Sequence, residues 1–462
     1  MVLFKRRTHE LDMVQGPLLR NIISFALPIS ISGIIQLLFN AADMAVVGKY
    51  AEQADLCLAA IGSNGPLINI MIQLFMGFSV GCNIVIAKSI GEGNRDKAAR
   101  TAHTAIVLSL LCGILVMTVG LIFCRTFLNW LLVPSDVIDL AEEYMRIYFL
   151  GVPLLMLYNF GAAVMRATGD TKRPLFFLIV SGIVNVVLNV IFVKFLHWDV
   201  DGVATATCVS ELISSVLVMI ALFRTNGTCK IFLKKLRLYK KELGEILYVG
   251  VPAGIHSCMY SIANVIIQSS INSFGSIVMA GNSAGFNISN IVGTANYGFS
   301  SASTTFVSQN FGAKQYSRIR KITRTCMLCV FAVSTVASGI VMIFPSFFLS
   351  IFNSNPEVIE AGTHQLIFVA GFAVLDGMVV TMAGSIRGMG KSIQSMFISI
   401  IGICGIRLLY LFTVFSSFQT LDSLYAVYPV SWAVTLIANI IYYFIVLKKL
   451  PKNDGTLENY SV

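Results

Sequence analysis

Apolar runs of roughly twenty residues recur along the whole chain, each long enough to cross a ~30 Å hydrocarbon layer as a helix. They fall at 25–48, 59–86, 104–124, 145–165, 175–196, 203–223, 248–273, 281–308, 325–349, 365–386, 395–415 and 425–447. Each run is continuously apolar, whereas the strands of a membrane barrel alternate apolar and polar residues over about ten positions. Lipid offers no water to a backbone N–H or C=O, so helices are the available fold. Composition agrees: 56% of the 462 residues are hydrophobic and 12% charged, a charged share about half that of a soluble domain. The short connections leave no room for a soluble catalytic or nucleotide-binding domain. The expected fold class is all-α and integral to the membrane, with about twelve transmembrane helices.

The basic residues are sorted by side. Of 33 Lys and Arg, 28 fall before the first run, in alternate loops on that side, or after the last run. This group opens with Lys5, Arg6, Arg7 and Arg20. Lys49, Arg125, Arg146 and Lys194 occupy the opposite loops and span ends, and Arg407 stands inside a run. By the positive-inside rule both termini are expected in the cytoplasm, with the chain in the inner (plasma) membrane. The net charge of +10 is then a matter of topology and lipid headgroups, with no nucleic-acid partner implied.

Two local patterns imitate chemistry. Cys326 and Cys329 form a CxxC, but on an apolar helix with no second pair, so a packed helix face is the expected role. SIRGMGKS (385–392) departs from a phosphate-binding loop at Ser385 and follows a membrane helix instead of a strand. No nucleotide, metal, cofactor or catalytic residue is expected, and the chain is read as no enzyme.

The chain repeats itself. GFSVGCNIVIAKSIG (77–91) and GFSSASTTFVSQNFG (298–312) share Gly77, Phe78, Ser79 and Gly91 with Gly298, Phe299, Ser300 and Gly312 at an offset of 221. The same offset carries Arg166 and Gly169 onto Arg387 and Gly390, and Pro28 and Pro252 open the two copies. Between the copies lies CKIFLKKLRLYKKEL, basic with apolar residues every three or four positions, which suits an amphipathic helix on the headgroups. The expected organisation is a six-helix lobe over 1–223, a basic linker over 224–245 and a second six-helix lobe over 246–462. An even number of spans per copy gives both the same orientation, pseudo-symmetric about the membrane normal, with a central cleft between two bundles.

ALPISISGIIQLLFNAADMAVVGKY, AAIGSNGPL, GFSVGCNIVIAKSIGEGN, MRATGDTKRP, GVPAGI and SIRGMGKS stand in an order that resembles the multidrug and toxic compound extrusion (MATE) family, most closely its bacterial DinF-like branch. The resemblance implies an exporter coupled to H⁺ or Na⁺. It also implies a coupling-cation site around a first-span carboxylate in an Asn-x-x-Asp setting, here Asn40 and Asp43. In the fifth span it points to Asn185 and Asn189, where family members often carry Asn-x-x-x-Asp, and in the sixth to Thr207.

Polar residues inside the runs narrow the field, because a carboxylate at mid-span costs roughly 2.5–3.5 kcal/mol on insertion scales. Ser32, Gln36, Asn40 and Asp43 share one helix face that cannot point at lipid. Asp43 reads either as an ion ligand or as a boundary carboxylate near the span's outer end. Asn185 and Asn189 read as ion ligands or as interhelical hydrogen bonds, and Glu211 lies one turn beyond Thr207. His256, Tyr260, Asn264 and Gln268 descend the seventh span in steps of four. Asp376 in the tenth span reads as an ion or substrate contact, or as a buried partner of Arg407 in the eleventh. Substrate-cleft candidates are therefore Gln36, Glu211, His256, Tyr260, Asn264, Asp376 and Arg407.

The expected function is a cation-coupled antiporter that exports amphipathic, cationic organic compounds as a monomer in the lipid bilayer. The competing reading is a flippase for a lipid-linked or other amphipathic metabolite, disfavoured by the single deep cation, Arg407. A major-facilitator carrier is disfavoured by KSIGEGNRDKAAR, which stands where that class has its signature loop between spans two and three.

Overall fold

The computed structural model describes residues 11–451 and Asp454, and within them the chain is helical with no strand. Lys5, Arg6 and Arg7 lie outside the described residues. In chain order the helices of the first copy are α1 (Leu18–Tyr50), α2 (Ala54–Gly91), α3 (Arg95–Trp130), α4 (Ile138–Ala167), α5 (Lys172–Asn189) and α6 (Val200–Arg224). The second copy holds α7 (Lys240–Asn272), α8 (Ser276–Gly312), α9 (Tyr316–Ile343), α10 (Pro345–Ser350), α11 (Pro356–Phe368), α12 (Ala373–Gly388), α13 (Ser392–Ser399), α14 (Ile406–Tyr410) and α15 (Leu421–Lys449).

Among the described residues, ten segments are long and apolar enough to cross a bilayer on their own, counting Lys172–Phe195 and Ser392–Phe415 as continuous. The tenth predicted span is a broken one, α11 and α12 meeting at 42°. The eighth is α8, whose 37 residues carry a more polar face. Twelve helical segments thus occupy the twelve predicted positions, one of them kinked. Two spans change helical pitch: α5 continues into a π-helical stretch at Val190–Phe195, and π turns at Ile400–Gly405 and Leu411–Phe415 flank α14. Such π segments cluster at functional positions in helices.

Contacts divide the chain into two compact units. The first holds Ser32–Ile90 and Asn94–Gly254; the second holds Met13–Ile31, Gly91–Gly93 and the chain from Ile255 onward. The opening segment of α1 therefore packs with the second copy, and that of α7 with the first. Glycines make both placements possible. In the first unit a methyl added at Gly77 of α2 would lie 2.1 Å from the Gly254 nitrogen of α7, and one at Gly81 would lie 2.5 Å from the Ile246 oxygen. In the second unit a methyl at Gly298 of α8 would lie 2.3 Å from the Ala26 oxygen and the Ser30 hydroxyl of α1. Gly77 and Gly298 are repeat partners, so each copy's second span grips the opening segment of the other copy's first span at the same position.

Gly169 and Gly390, also repeat partners, both adopt left-handed backbone, at φ +92° and +78°. Each ends the helix before a tight turn in a conformation that favours glycine. The first unit's core gathers on α3, α4 and α6 around Phe149, Phe160, Met145 and Met156. Leu111, Leu115, Ile122 and Phe123 of α3 stay exposed, the surface expected toward lipid. All ten cysteines are free, and Cys326 is fully buried against its neighbours.

The linker departs from expectation. Only Leu233–Lys235 is helical, a single 3-10 turn, and α7 begins at Lys240. An amphipathic helix here would need its own i→i−4 bonds. Instead the Phe232 N–H donates to His103 Nε2 (3.0 Å) and the Tyr239 N–H to Thr104 Oγ1 (3.2 Å), both on α3.

Gly77→Ala is expected to lower stability by about 1–3 kcal/mol, the usual cost of overpacking, read as a lower unfolding temperature of the detergent-solubilised protein. Gly293→Ala, where an added methyl meets nothing within 4 Å, should leave that temperature unchanged or raise it.

Candidate functional site

In the first unit α1 and α5 approach closely because Gly182 has no side chain: a methyl there would lie 1.7 Å from the Phe39 ring. Two turns further along α5 the approach brings polar groups together. Asn189 Nδ2 donates to Asp43 Oδ1 at 2.5 Å and reaches Asn185 Oδ1 at 3.3 Å. Asn189 is 0% exposed, Asn185 is buried and Asp43 is half-buried. The Asn189 Oδ1 atom is buried with no protein partner, and the helix changes to π pitch at the next residue. An oxygen left unpaired beside a carboxylate is a costly arrangement in lipid. It suits a group that accepts an ion, since hard cations are held by carboxylate and amide oxygens.

The other first-unit candidates are placed apart from this trio. Asn40 is exposed, one turn before Asp43 on α1. Thr207 gives its hydroxyl to the Val203 carbonyl of its own helix at 3.0 Å. Gln36 is exposed on α1. Glu211 lines a cavity of about 10 Å³ with Tyr148, Gly151, Val152, Leu155, Thr207 and Cys208, room for about one water. Glu211 therefore joins Thr207 and α4, and does not supply the charge that Asn189 lacks in the trio.

The second unit assembles a different cluster. Arg407 on α14 is 1% exposed. Its Nη1 donates to Asn264 Oδ1 (2.7 Å) and its Nε to Ser431 Oγ (3.3 Å). The guanidinium also lies 4.6 Å from the ring centre of Tyr428 and 5.3 Å from that of Tyr260. Cation–π contact of this kind is worth about 2 kcal/mol when desolvated. Tyr260 in turn donates its hydroxyl to Asp376 Oδ1 at 3.1 Å. The buried Asp376–Arg407 pair weighed from the sequence is thus not a direct ion pair: Tyr260 stands between the charges, binding one by its hydroxyl and the other by its ring. Arg407 Nη2 is buried with no protein partner.

The α7 stripe continues outward through Gln268, which donates to Asn272 (2.8 Å) and accepts from Asn282 of α8 (2.9 Å). Tyr425 donates to Asn282 Oδ1 at 3.2 Å. His256 is half-buried on α7 and makes no hydrogen bond among the described residues. Sequence reasoning missed Ser431, Tyr428, Asn282 and Tyr425. Each is one polar group or ring in an apolar run, with no periodic pattern to separate a partner of Arg407 from a packing residue.

A helical chain of twelve membrane segments in two matched copies, with polar groups gathered at interior points, defines a polytopic membrane protein. The MatE family model matches residues 28–191 and 252–413, and the chain belongs to that family, whose members are membrane transporters and not enzymes. The probable multidrug resistance protein YoeA of Bacillus subtilis is 26% identical over 439 residues, covering 93% of this chain and 94% of that one. The FAD transporter of Shewanella oneidensis is 23% identical over 394 residues, covering 84% and 86%. Among solved structures, an outward-facing multidrug resistance MATE transporter of the MOP superfamily superposes with a TM-score of 0.89 at 21% identity, covering 97% and 100%. That likeness carries the fold.

Arg407→Gln is expected to destabilise the second unit by about 1.5–3 kcal/mol, because Asn264 loses a charge-assisted hydrogen bond and the Tyr260 and Tyr428 rings lose the cation beside them. Tyr260→Phe, which removes one hydroxyl, should cost about 1–2 kcal/mol. Unfolding temperatures of the two variants in one detergent check the order.

Proposed function

We propose that this chain is a cation-coupled antiporter, driven by H⁺ or Na⁺, that exports amphipathic organic cations by alternating access. The carrying observation is the Asp43–Asn189–Asn185 trio with its unpartnered Asn189 oxygen. Asp43 supplies the one negative charge and Asn189 the second oxygen. A bound cation would take both and release the carboxylate from its amide bond. Asn40 and Thr207, one turn from Asp43 and beside Glu211 respectively, complete the coupling set after rearrangement. Gln36, Glu211, His256, Tyr260, Asn264 and Asp376 are candidates for substrate contact. Coupling then requires only that cation and substrate prefer opposite states, since a ligand shifts an equilibrium solely by its differential affinity. The 28 basic residues on one side support an inner-membrane location with cytoplasmic termini.

A second reading has its own support. Arg407 is a buried guanidinium with an unpartnered Nη2, and a relative of matching length is named an FAD transporter. An anionic amphipathic metabolite, carried or flipped across the membrane, would be held there through its phosphate or carboxylate.

In everted vesicles, export of a cationic dye driven by a pH or Na⁺ gradient is expected to fall at least about tenfold in Asp43→Asn, matching the loss of about 1.4 kcal/mol or more of coupling. Full export by Asp43→Asn removes the trio from the mechanism. Efflux of an anionic flavin dinucleotide with no dye efflux by the wild type selects the second reading, and its loss in Arg407→Gln at a folded-protein level matched to the wild type assigns Arg407 to it.

A further inference from the structure

The segment between α6 and α7 is held on α3 by more than one tie. The Ile231 N–H donates to the Leu222 carbonyl (3.1 Å), and Phe232 and Tyr239 give their N–H groups to His103 and Thr104. His103 Nδ1 lies 2.7 Å from the Ala99 carbonyl, so Nδ1 donates there and Nε2 is left to accept. Cys229 and Ile231 are buried, and Leu236 and Leu238 pack on the core of the first unit. The start of α7 is tied by Glu242 to Arg100 (2.8 Å) and by Glu245 to Lys97 (2.7 Å).

What this clamp leaves outside is a fixed turn, Phe232–Lys235. Phe232 is 46% and Leu233 71% exposed, and Lys234, Lys235 and Arg237 are exposed beside them. Lys230 and Lys235 place their Nζ atoms 5.6 and 5.2 Å from the centre of the Phe232 ring. Arg237 stacks on Tyr239 at 4.5 Å. From 212 to 241 the sequence has no Asp or Glu, and the first two carboxylates beyond, Glu242 and Glu245, are already paired. Both flanking helices are membrane-crossing segments, so the turn lies at a membrane face. Two large apolar side chains held outward amid unpaired cations are matched by one environment: the boundary between acyl chains and anionic headgroups.

We infer that the Phe232–Lys235 turn docks on anionic phospholipid, with Phe232 and Leu233 entering the acyl boundary and Lys230, Lys234, Lys235 and Arg237 holding lipid phosphates. The clamp makes the wedge effective, since a turn already fixed on α3 loses little conformational freedom when it binds. Each cation at an anionic surface contributes about fivefold to the partition, and salt weakens it. The inference needs the linker at a membrane face and is independent of the coupling ion and of the exported compound.

The test uses the full-length protein in nanodiscs of phosphatidylcholine with or without phosphatidylglycerol. The wild type is expected to unfold at a higher temperature with phosphatidylglycerol. A variant carrying Lys234→Gln and Lys235→Gln should lose most of that gain while matching the wild type in phosphatidylcholine alone. In a second arm, Leu233→Trp in discs with brominated acyl chains should add fluorescence that bromine quenches, and this arm stands even where the Gln pair fails to fold. An equal gain in the Gln variant overturns the inference, as does added fluorescence that bromine leaves unquenched. So does an equal gain from glycerol phosphate, which would assign the turn to free phosphate. No transport is measured, so failure here is separate from failure of the export reading.

Discussion

Inside the hydrocarbon layer there is no water to receive a hydrogen bond, so each polar side chain placed there must find its partner within the protein or wait for a ligand. Most of this chain's interior polar groups obey the first option in the cheapest way. Ser79, Thr101, Thr104, Ser210 and Thr305 give their hydroxyls to carbonyls of their own helices. Asn64 and Asn83 reach carbonyls on α4. A minority of buried polar atoms among the described residues lack a protein partner, including atoms of Asn64, Asn296, Asn439, Arg387 and Trp432, and two of them belong to the clusters described above. The Asp43 trio leaves an amide oxygen without a partner, and Arg407 leaves one guanidinium nitrogen without one.

The Asp43 trio depends on backbone proximity that a side chain would forbid. Gly182 admits the Phe39 ring and so brings Asp43 to Asn189. Gly77 and Gly298 bring each copy's second span against the opening segment of the other copy's first span. In membranes small residues do the work that apolar burial does in water, because lipid tails are as apolar as leucine. The repeat is thus conserved in backbone approach while the polar chemistry differs: a carboxylate with two amides in the first unit, and an arginine with two tyrosines and a carboxylate in the second.

The twelve helical positions, the helical class and the family were all readable from the sequence, because apolar run length and ordered glycine and proline motifs are strong local signals. The pairing of Asp43 with Asn189 was foreshadowed by the family resemblance, which implies a fifth-span residue answering the first-span carboxylate. Three features were not readable. The linker looked like an amphipathic helix because its apolar residues recur every three or four positions. Its backbone donors go to α3, a choice no periodicity reveals. The role of Tyr260 between Asp376 and Arg407 needs three helices in register. The bend between α11 and α12 falls at Val369–Phe372, where the run stays apolar and carries only Gly371 as a signal.

The central claim is that Asp43 and Asn189 act together on the coupling cation. A double-mutant cycle on cation affinity tests it most directly, with Asp43→Asn, Asn189→Leu and the double variant compared with the wild type in Na⁺ and in pH titrations of the purified protein. The account predicts strong non-additivity, the double variant binding the cation no more weakly than Asp43→Asn alone. Losses that simply add would mean the two residues act independently and would contradict a shared site.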